Sequence, residues 1–398
     1  MKIGKLFFLS LSLFLFINVQ AQDTVRVAGY KFTKEVRLPY TDVKSQNRTG
    51  TCWSYATTSF VESELLRMGK PSVDLSEMFF VKDAYLQKGV SYVRRNGTAN
   101  FSEGGQAHDV MNTIKAKGMV PDATFPGLNY GEKEHVHGEL TAGMTGFLEA
   151  INKNPNRQLS TAWLPGLKGI LDAYLGQDVT SFSYNGKSYT PASFRDANGF
   201  NPDDYIELTS FSNYPYNTKV MLEIADNWSN GHYYNLPIND IIKIIENAVA
   251  KGYTVCWDGD VGNTGFSHGK GLAVVPDENS KEVAGLEMAK WSNMSSVDKK
   301  KALFNGDSPI AEKLITDADR AVAFDNSTLT DDHLMHLVGL AKDQTGATFY
   351  IIKNSWAKDS NAWGGLFYMS QPYVKRYTVA IMVHKNAIPA DIKKVLGL

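Results

Sequence analysis

The sequence predicts an α+β chain of two lobes, mainly helical in front and β-rich behind, with a large insertion between them. Three observations predict it: apolar residues at helical spacing through the first third, a turn-dense middle, and alternating strand patterns after about residue 333. A chain of 398 residues, 43% hydrophobic and 21% charged, is long enough for two core-bearing lobes and has ordinary globular composition. The formal net charge of -1, without a basic stripe or long like-charge run, excludes nucleic acid and anionic membrane surfaces as expected partners.

Residues 1–21 have the parts of a secretory signal. Lys2 and Lys5 precede an apolar run from Leu6 to Ile17, and Val19-Gln20-Ala21 supplies a small-residue cleavage site before Gln22. A membrane anchor would need roughly 18 to 20 apolar residues, and this run is shorter and broken by Ser10 and Ser12. The expected product is exported, periplasmic or secreted, with no stable membrane association after cleavage. Cys52 and Cys256 are the only cysteines, so one disulfide is allowed on count alone, and a thiol left free in an exported chain invites a catalytic explanation.

The first long helix is read from Gln46–Met68. Trp53, Ala56 and Phe60, with Val61, Leu65 and Met68, follow helical spacing, Ser59, Ser63 and Arg67 make a polar edge, and Gly69 and Pro71 stop it. Cys52 falls in its first turn, where the helix dipole favours thiolate. Asp74 followed by Glu77 reads as a capping-box start for a helix to about Lys88, and Ala107, Val110, Met111 and Ile114 mark another ending at Gly118. From Pro121 to Asn235 turn formers are dense, and only Leu140–Asn152 and Gly166–Leu175 read as helices. His135 and His137 lack further metal ligands nearby. Ile238–Ala250 is amphipathic, and Tyr253–Trp257 reads as a strand leading to a turn at Asp260-Val261-Gly262. The lysine-bearing stretch Val283–Phe304 reads as a solvated helical excursion, followed by strands at Leu334–Leu340, Thr348–Asn354, Leu366–Met369 and Tyr377–Val383.

A thiolate nucleophile needs an imidazole to exchange its proton and a third group to orient that imidazole. His333 opens one rear-lobe strand and Asn354 ends the next, so a hairpin brings them together, with Trp356 shielding the contact. His336 differs from His333 by an odd number and points to the other side of the strand. A rival reading takes Asp331, Asp332, His333 and His336 as metal ligands on a helix, but Val338 and the following hairpin argue for strand.

Gln46, Cys52-Trp53, HLMHLVGL and KNSW, in the order Gln, Cys, His, Asn, resemble the papain-like cysteine peptidases. The resemblance implies a papain-like two-lobe fold and the roles of Cys52 as nucleophile, His333 as general acid/base, Asn354 as imidazole orienter, and Gln46 with the Cys52 N–H as oxyanion hole. Gln46 stands six residues before Cys52, and Gly339 six after His333 but three after His336, which match family spacing and select His333. EGGQAHDVM at 103–111, the stretch 234–262 and FYIIKNSWAKDSNAWGGLFYMS at 349–370 resemble the bleomycin hydrolase and aminopeptidase C branch. Gly104 and Gly105 match paired glycines that let a substrate backbone pair with the enzyme, and Trp356 completes the expected substrate-binding set.

The implied organisation is a peptidase domain over 22–386, with a mainly helical lobe at 22–120, an insertion at 121–235, a β-rich lobe at 236–386, and a short tail at 387–398. The branch places a C-terminal carboxylate in the cleft to recognise the substrate amine, whereas this chain stops soon after Ile388-Pro389-Ala390-Asp391. The expectation is thus a cysteine peptidase acting on peptides without metal or cofactor, most simply an aminopeptidase. An endopeptidase with an open cleft and a non-catalytic peptide-binding protein of the same fold are the alternatives, and a homo-oligomer is left open.

Overall fold

The computed structural model describes residues 24–33, 35–156, 158–277, 282–283, 286–287 and 294–398. The signal-like segment 1–21 lies outside the described residues. Helix α1, Cys52–Arg67, runs between a helical layer and a large sheet and is buried along most of its length. The polar edge expected on it is therefore not solvated: Ser59 and Ser63 are 7% and 3% exposed. Buried polar groups need partners, and the sheet side supplies them for Ser59 and Thr57, whereas Ser63 Oγ has none among the described residues. Ser59 Oγ meets His336 Nδ1 at 2.8 Å and accepts from Lys353 Nζ at 2.7 Å, while Thr57 Oγ1 lies 3.6 Å from Cys256 Sγ. Both cysteines are free thiols.

Helix α2, Glu77–Arg94, is capped by Ser76, whose Oγ accepts from Phe79 N at 3.0 Å. The expected capping residue, Asp74, is instead paired with Lys44, because the chain enters the helix two residues later than the Asp-x-x-Glu pattern suggests. Helix α3 spans Ala107–Ala116, and Asp109 Oδ2 accepts from the Gln106 N–H at 2.9 Å. Within the turn-dense stretch, helices α4, Gly138–Asn152, and α5, Trp163–Leu175, bury Leu140, Met144, Leu148, Leu167, Leu171 and Leu175 in the same core as α1 to α3. After the short helix α6, Pro191–Asn198, the chain leaves the helical layer. Strands Tyr205–Thr209, Thr218–Met221 and His232–Asn235 then extend the large sheet.

Helix α7, Ile238–Ala250, leads into strand Val255–Gly259, which is flanked by His333–Lys342 and Thr378–His384 in an 11-stranded sheet. Alternation assigns its faces. Cys256, Leu334 and Met382 join the front core with α1, while Trp257, Met335, Leu337 and Ile381 join the rear core with α7. Helix Ala390–Leu396 buries Ile392 and Leu396 in that rear core. Of the stretch read as a solvated helix at 283–304, residues 284–285 and 288–293 lie outside the described residues. Glu282–Val283 pairs with Leu286–Glu287 as short strands, and the helix is only Ser296–Phe304. Its Leu303 and Phe304 are buried, so the lysines mark one face of a packed helix.

His108 ties α3 to the sheet: its Nδ1 lies 2.8 Å from Glu207 Oε2 and its Nε2 2.9 Å from Ser229 Oγ. Burial alone would lower its pKa, but the Glu207 and Asp109 carboxylates outweigh burial and raise it to about 9. A raised imidazole contributes stability that is complete below its unfolded value of roughly 6.5 and is lost as pH climbs through the folded value. The shift corresponds to about 3 kcal/mol. Chemical denaturation from pH 6 to 10 should therefore give falling stability across this window in wild type, and a flattened or reversed dependence in Glu207→Gln.

Candidate active site

Cys52 is the first residue of α1, so its N–H has no carbonyl within the helix to bind and is directed out of the helix end. The Leu334 backbone N–H reaches its sulfur, which brings the thiol to the start of strand His333–Lys342. Burial pushes the Cys52 thiol up to about 12, the Leu334 N–H opposes this, and Asp258, Asp331 and Asp226 add to it. Desolvation thus opposes the helix dipole, which on its own favours thiolate at the first-turn position. Burial likewise lowers His333 to about 4 against its hydrogen bond to Asn354.

The hairpin brings His333 and Asn354 together. His333 Nε2 lies 2.8 Å from Asn354 Oδ1, and the same Oδ1 accepts from the Ser355 N–H at 2.7 Å. Because that N–H can only donate, Oδ1 is an acceptor, and His333 Nε2 must carry the hydrogen. Nδ1 is left as the basic nitrogen. The Trp356 ring stacks on His333 with centroids 4.9 Å apart.

His268 is a member of this constellation that the sequence reading missed. Asn354 Nδ2 donates to His268 Nδ1 at 3.2 Å, so His268 Nε2 carries hydrogen and donates to Ser360 Oγ at 2.7 Å. Ser360 Oγ in turn donates to the Ala357 carbonyl at 2.6 Å, which closes the chain. Burial and the nearby His333 hold His268 neutral, down to about 4. Its only sequence signal is FSHGK, a histidine in a turn beside a short strand. His336 lies on the other side, fully buried against Ser59.

Gln46 is pinned on the same side: its Nε2 donates to Thr49 O at 2.7 Å and its Oε1 accepts from Ser355 Oγ at 2.6 Å. The amide keeps a second hydrogen for another acceptor. Gly104 and Gly105 belong to a loop anchored by Glu103, whose carbonyl accepts from Trp53 Nε1 at 3.0 Å and whose carboxylate accepts from Gly50 N at 2.5 Å. A Cβ on Gly104 would lie 1.9 Å from Asp226 Oδ2, and one on Gly105 would lie 2.9 Å from the Trp53 ring. Glycine is therefore required there by the protein's own packing, and the resulting lack of side chains also leaves the backbone bare.

Residues 285–397 match the Peptidase C1-like family. Over its length the chain is similar to aminopeptidase G of Lactobacillus delbrueckii subsp. lactis, 22% identical with 95% of this chain and 89% of the relative covered. Aminopeptidase W of the same organism is also 22% identical, over 92% of this chain and 85% of the relative. The crystal structure of PepW from Lactobacillus rhamnosis superposes with a TM-score of 0.69 at 19% identity, covering 91% of this chain and 84% of that one. With a two-lobe α+β fold of this kind, the chain is a papain-like cysteine peptidase. Within that class its similarity is to aminopeptidases G and W.

The Asn354–His268 contact generates a test. His268→Ala leaves Asn354 Nδ2 without its acceptor and frees the amide to turn, and small misplacements of a catalytic group cost up to about a hundred-fold in rate. Peptidase assays should show kcat reduced by roughly ten- to a hundred-fold with KM little changed, and partial recovery in His268→Gln, whose amide oxygen can accept the same bond.

Proposed function

We propose that the chain hydrolyses peptide bonds through a Cys52 acyl-enzyme and that it is an exported aminopeptidase. The observation that carries the mechanism is the direction of the His333–Asn354 hydrogen bond, which leaves Nδ1 as the free base next to the residue whose N–H meets the Cys52 sulfur. As Cys52 Sγ attacks the carbonyl carbon, its proton passes to His333 Nδ1. The oxyanion then accepts from the Cys52 N–H and the remaining Gln46 Nε2 hydrogen. His333 returns the proton to the leaving amine as the C–N bond breaks, and water releases the acyl group by the same base. Asn354 keeps the imidazole in the required tautomer, and Trp356 excludes water from their bond.

The aminopeptidase reading draws support from the names of the curated relatives, aminopeptidase G and aminopeptidase W. An endopeptidase remains the second reading because helix Ala390–Leu396 packs on the rear of the sheet, away from α1. Export is supported by Lys2, Lys5, the apolar run to Ile17 and the site before Gln22. Among the described residues no helix is long and apolar enough to cross a membrane.

Cys52→Ala should lower kcat/KM by several orders of magnitude, as removal of a covalent nucleophile does, while leaving the thermal unfolding curve in place. An unchanged rate would reject the mechanism. A fluorogenic alanyl amide should be cut and its N-acetyl form spared, whereas equal cleavage of both selects the endopeptidase.

A further inference from the structure

The front face of the sheet carries a pair of acidic side chains near the nucleophile. Asp258 follows Cys256 by two residues in strand Val255–Gly259, so it projects on the same face, towards α1. It pairs in register with Leu334, whose N–H meets the Cys52 sulfur. Asp258 is only 3% exposed, and neither of its carboxylate oxygens accepts a hydrogen bond from the described protein. Its companion is another carboxylate, Asp331, and two carboxylates can bond to each other only by sharing a proton or a cation.

Nearby groups do not supply that cation. Asp331 Oδ2 accepts from the neutral Gln106 Nε2 at 2.9 Å. Lys88 faces Asp226 on the Gly104 side, but its Nζ is held by the carbonyls of Ser102 at 2.7 Å and Gly104 at 2.5 Å. His108 is taken by Glu207. Among the described residues no basic side chain forms an ion pair with Asp258 or Asp331, and no cluster of His, Cys, Asp and Glu has the arrangement of a metal site.

We propose that Asp258 and Asp331 receive a primary ammonium of the substrate, either the α-amino group of the peptide's first residue or a lysine side chain. Several N–H donors on one compact charge match the two unpartnered oxygens of Asp258 and the remaining acceptor capacity of Asp331. An α-ammonium is one carbon from the carbonyl that Cys52 attacks, so it must lie close to the sulfur, where Asp258 and Asp331 stand. A lysine ammonium would reach the same carboxylates from a residue further along the peptide. The assignment rests on the peptidase reading of Cys52 and adds to it the group that selects the substrate.

The test uses binding, so that it does not depend on turnover. Full-length Cys52→Ala is titrated calorimetrically with alanyl-leucinamide and its N-acetyl form, and with N-acetyl-lysyl-leucinamide and N-acetyl-norleucyl-leucinamide. At least one ammonium-bearing peptide should bind tenfold or more tightly than its neutral counterpart. Preference in the first pair identifies the α-amino group, and preference in the second the lysine side chain. Adding Asp258→Asn or Asp331→Asn should bring that ratio close to one. Thermal melts monitor folding, and the less buried Asp331→Asn decides the matter if Asp258→Asn does not fold. Equal or undetectable binding within both pairs, or an unchanged ratio in Asp331→Asn, overturns the proposal. Ammonium preference with a wild-type enzyme that cleaves none of the corresponding fluorogenic amides supports the acidic pair and rejects the peptidase reading alone.

Discussion

The burial of α1 between two layers is the constraint on which the rest of the structure depends. A helix enclosed on both sides should be apolar all round, yet Ser54, Thr57, Ser59, Glu62 and Glu64 are buried in this one. Partners from the surrounding chain and from the helix's own last turn make that tolerable. Ser54 Oγ donates to Glu77 O at 2.8 Å, Glu62 Oε1 accepts from Leu75 N at 2.7 Å, and Glu64 Oε2 pairs with Arg67 at 2.8 Å. Lys44 and Lys353 lower the pKa of Glu62 against the burial that raises it. Removing one member of such a network leaves an uncompensated polar group inside, which is more costly than never having buried the pair. The network thereby fixes the depth and rotation of the helix, and with them the place of Cys52 at its exposed end.

The same logic of obligatory partners orders the site. Each side chain from His333 to Ser360 has a direction forced by its neighbour, starting from Ser355 N–H, which can only donate, and ending at the Ala357 carbonyl, which can only accept. No charge is needed to hold the imidazole tautomer. The peptide segment 354–357 both supplies Asn354 and Trp356 and, through Ser355 Oγ, fixes Gln46. The acid/base group and the oxyanion donor are thus referenced to one turn of chain.

What was legible in the sequence follows from how local each signal is. Helix α7 was read to its observed ends because Ile241, Ile242, Ile245 and Val249 report one periodic face. Strands around His333 and Asn354 were equally clear, since alternation and a Gly-bearing turn are local. Ser76 was passed over as a cap because Asp74 offers the same pattern two residues earlier, and only the pairing of Asp74 with Lys44 separates them. Strands Thr218–Met221 and His232–Asn235 were hidden because they are short and join the sheet through the pairing of His232–Asn235 with Tyr205–Thr209, a contact that no local pattern announces. His268 and Asp258 were missed for the same reason: one lies far in sequence from Asn354 and the other from Cys52, and their significance is a matter of which face they share.

Burial and carboxylates act on Cys52 in the same direction. Desolvation disfavours its thiolate, and Asp258, Asp331 and Asp226 disfavour it further. Desolvation persists whether or not substrate is present, but the field of the carboxylates does not: an ammonium bound between Asp258 and Asp331 cancels much of it. Binding then stabilises negative charge on sulfur at the moment a carbonyl is positioned for attack. On this view, recognition of the cation and activation of the nucleophile are one electrostatic event. Acidic residues so close to a cysteine that must ionise would otherwise only oppose the reaction.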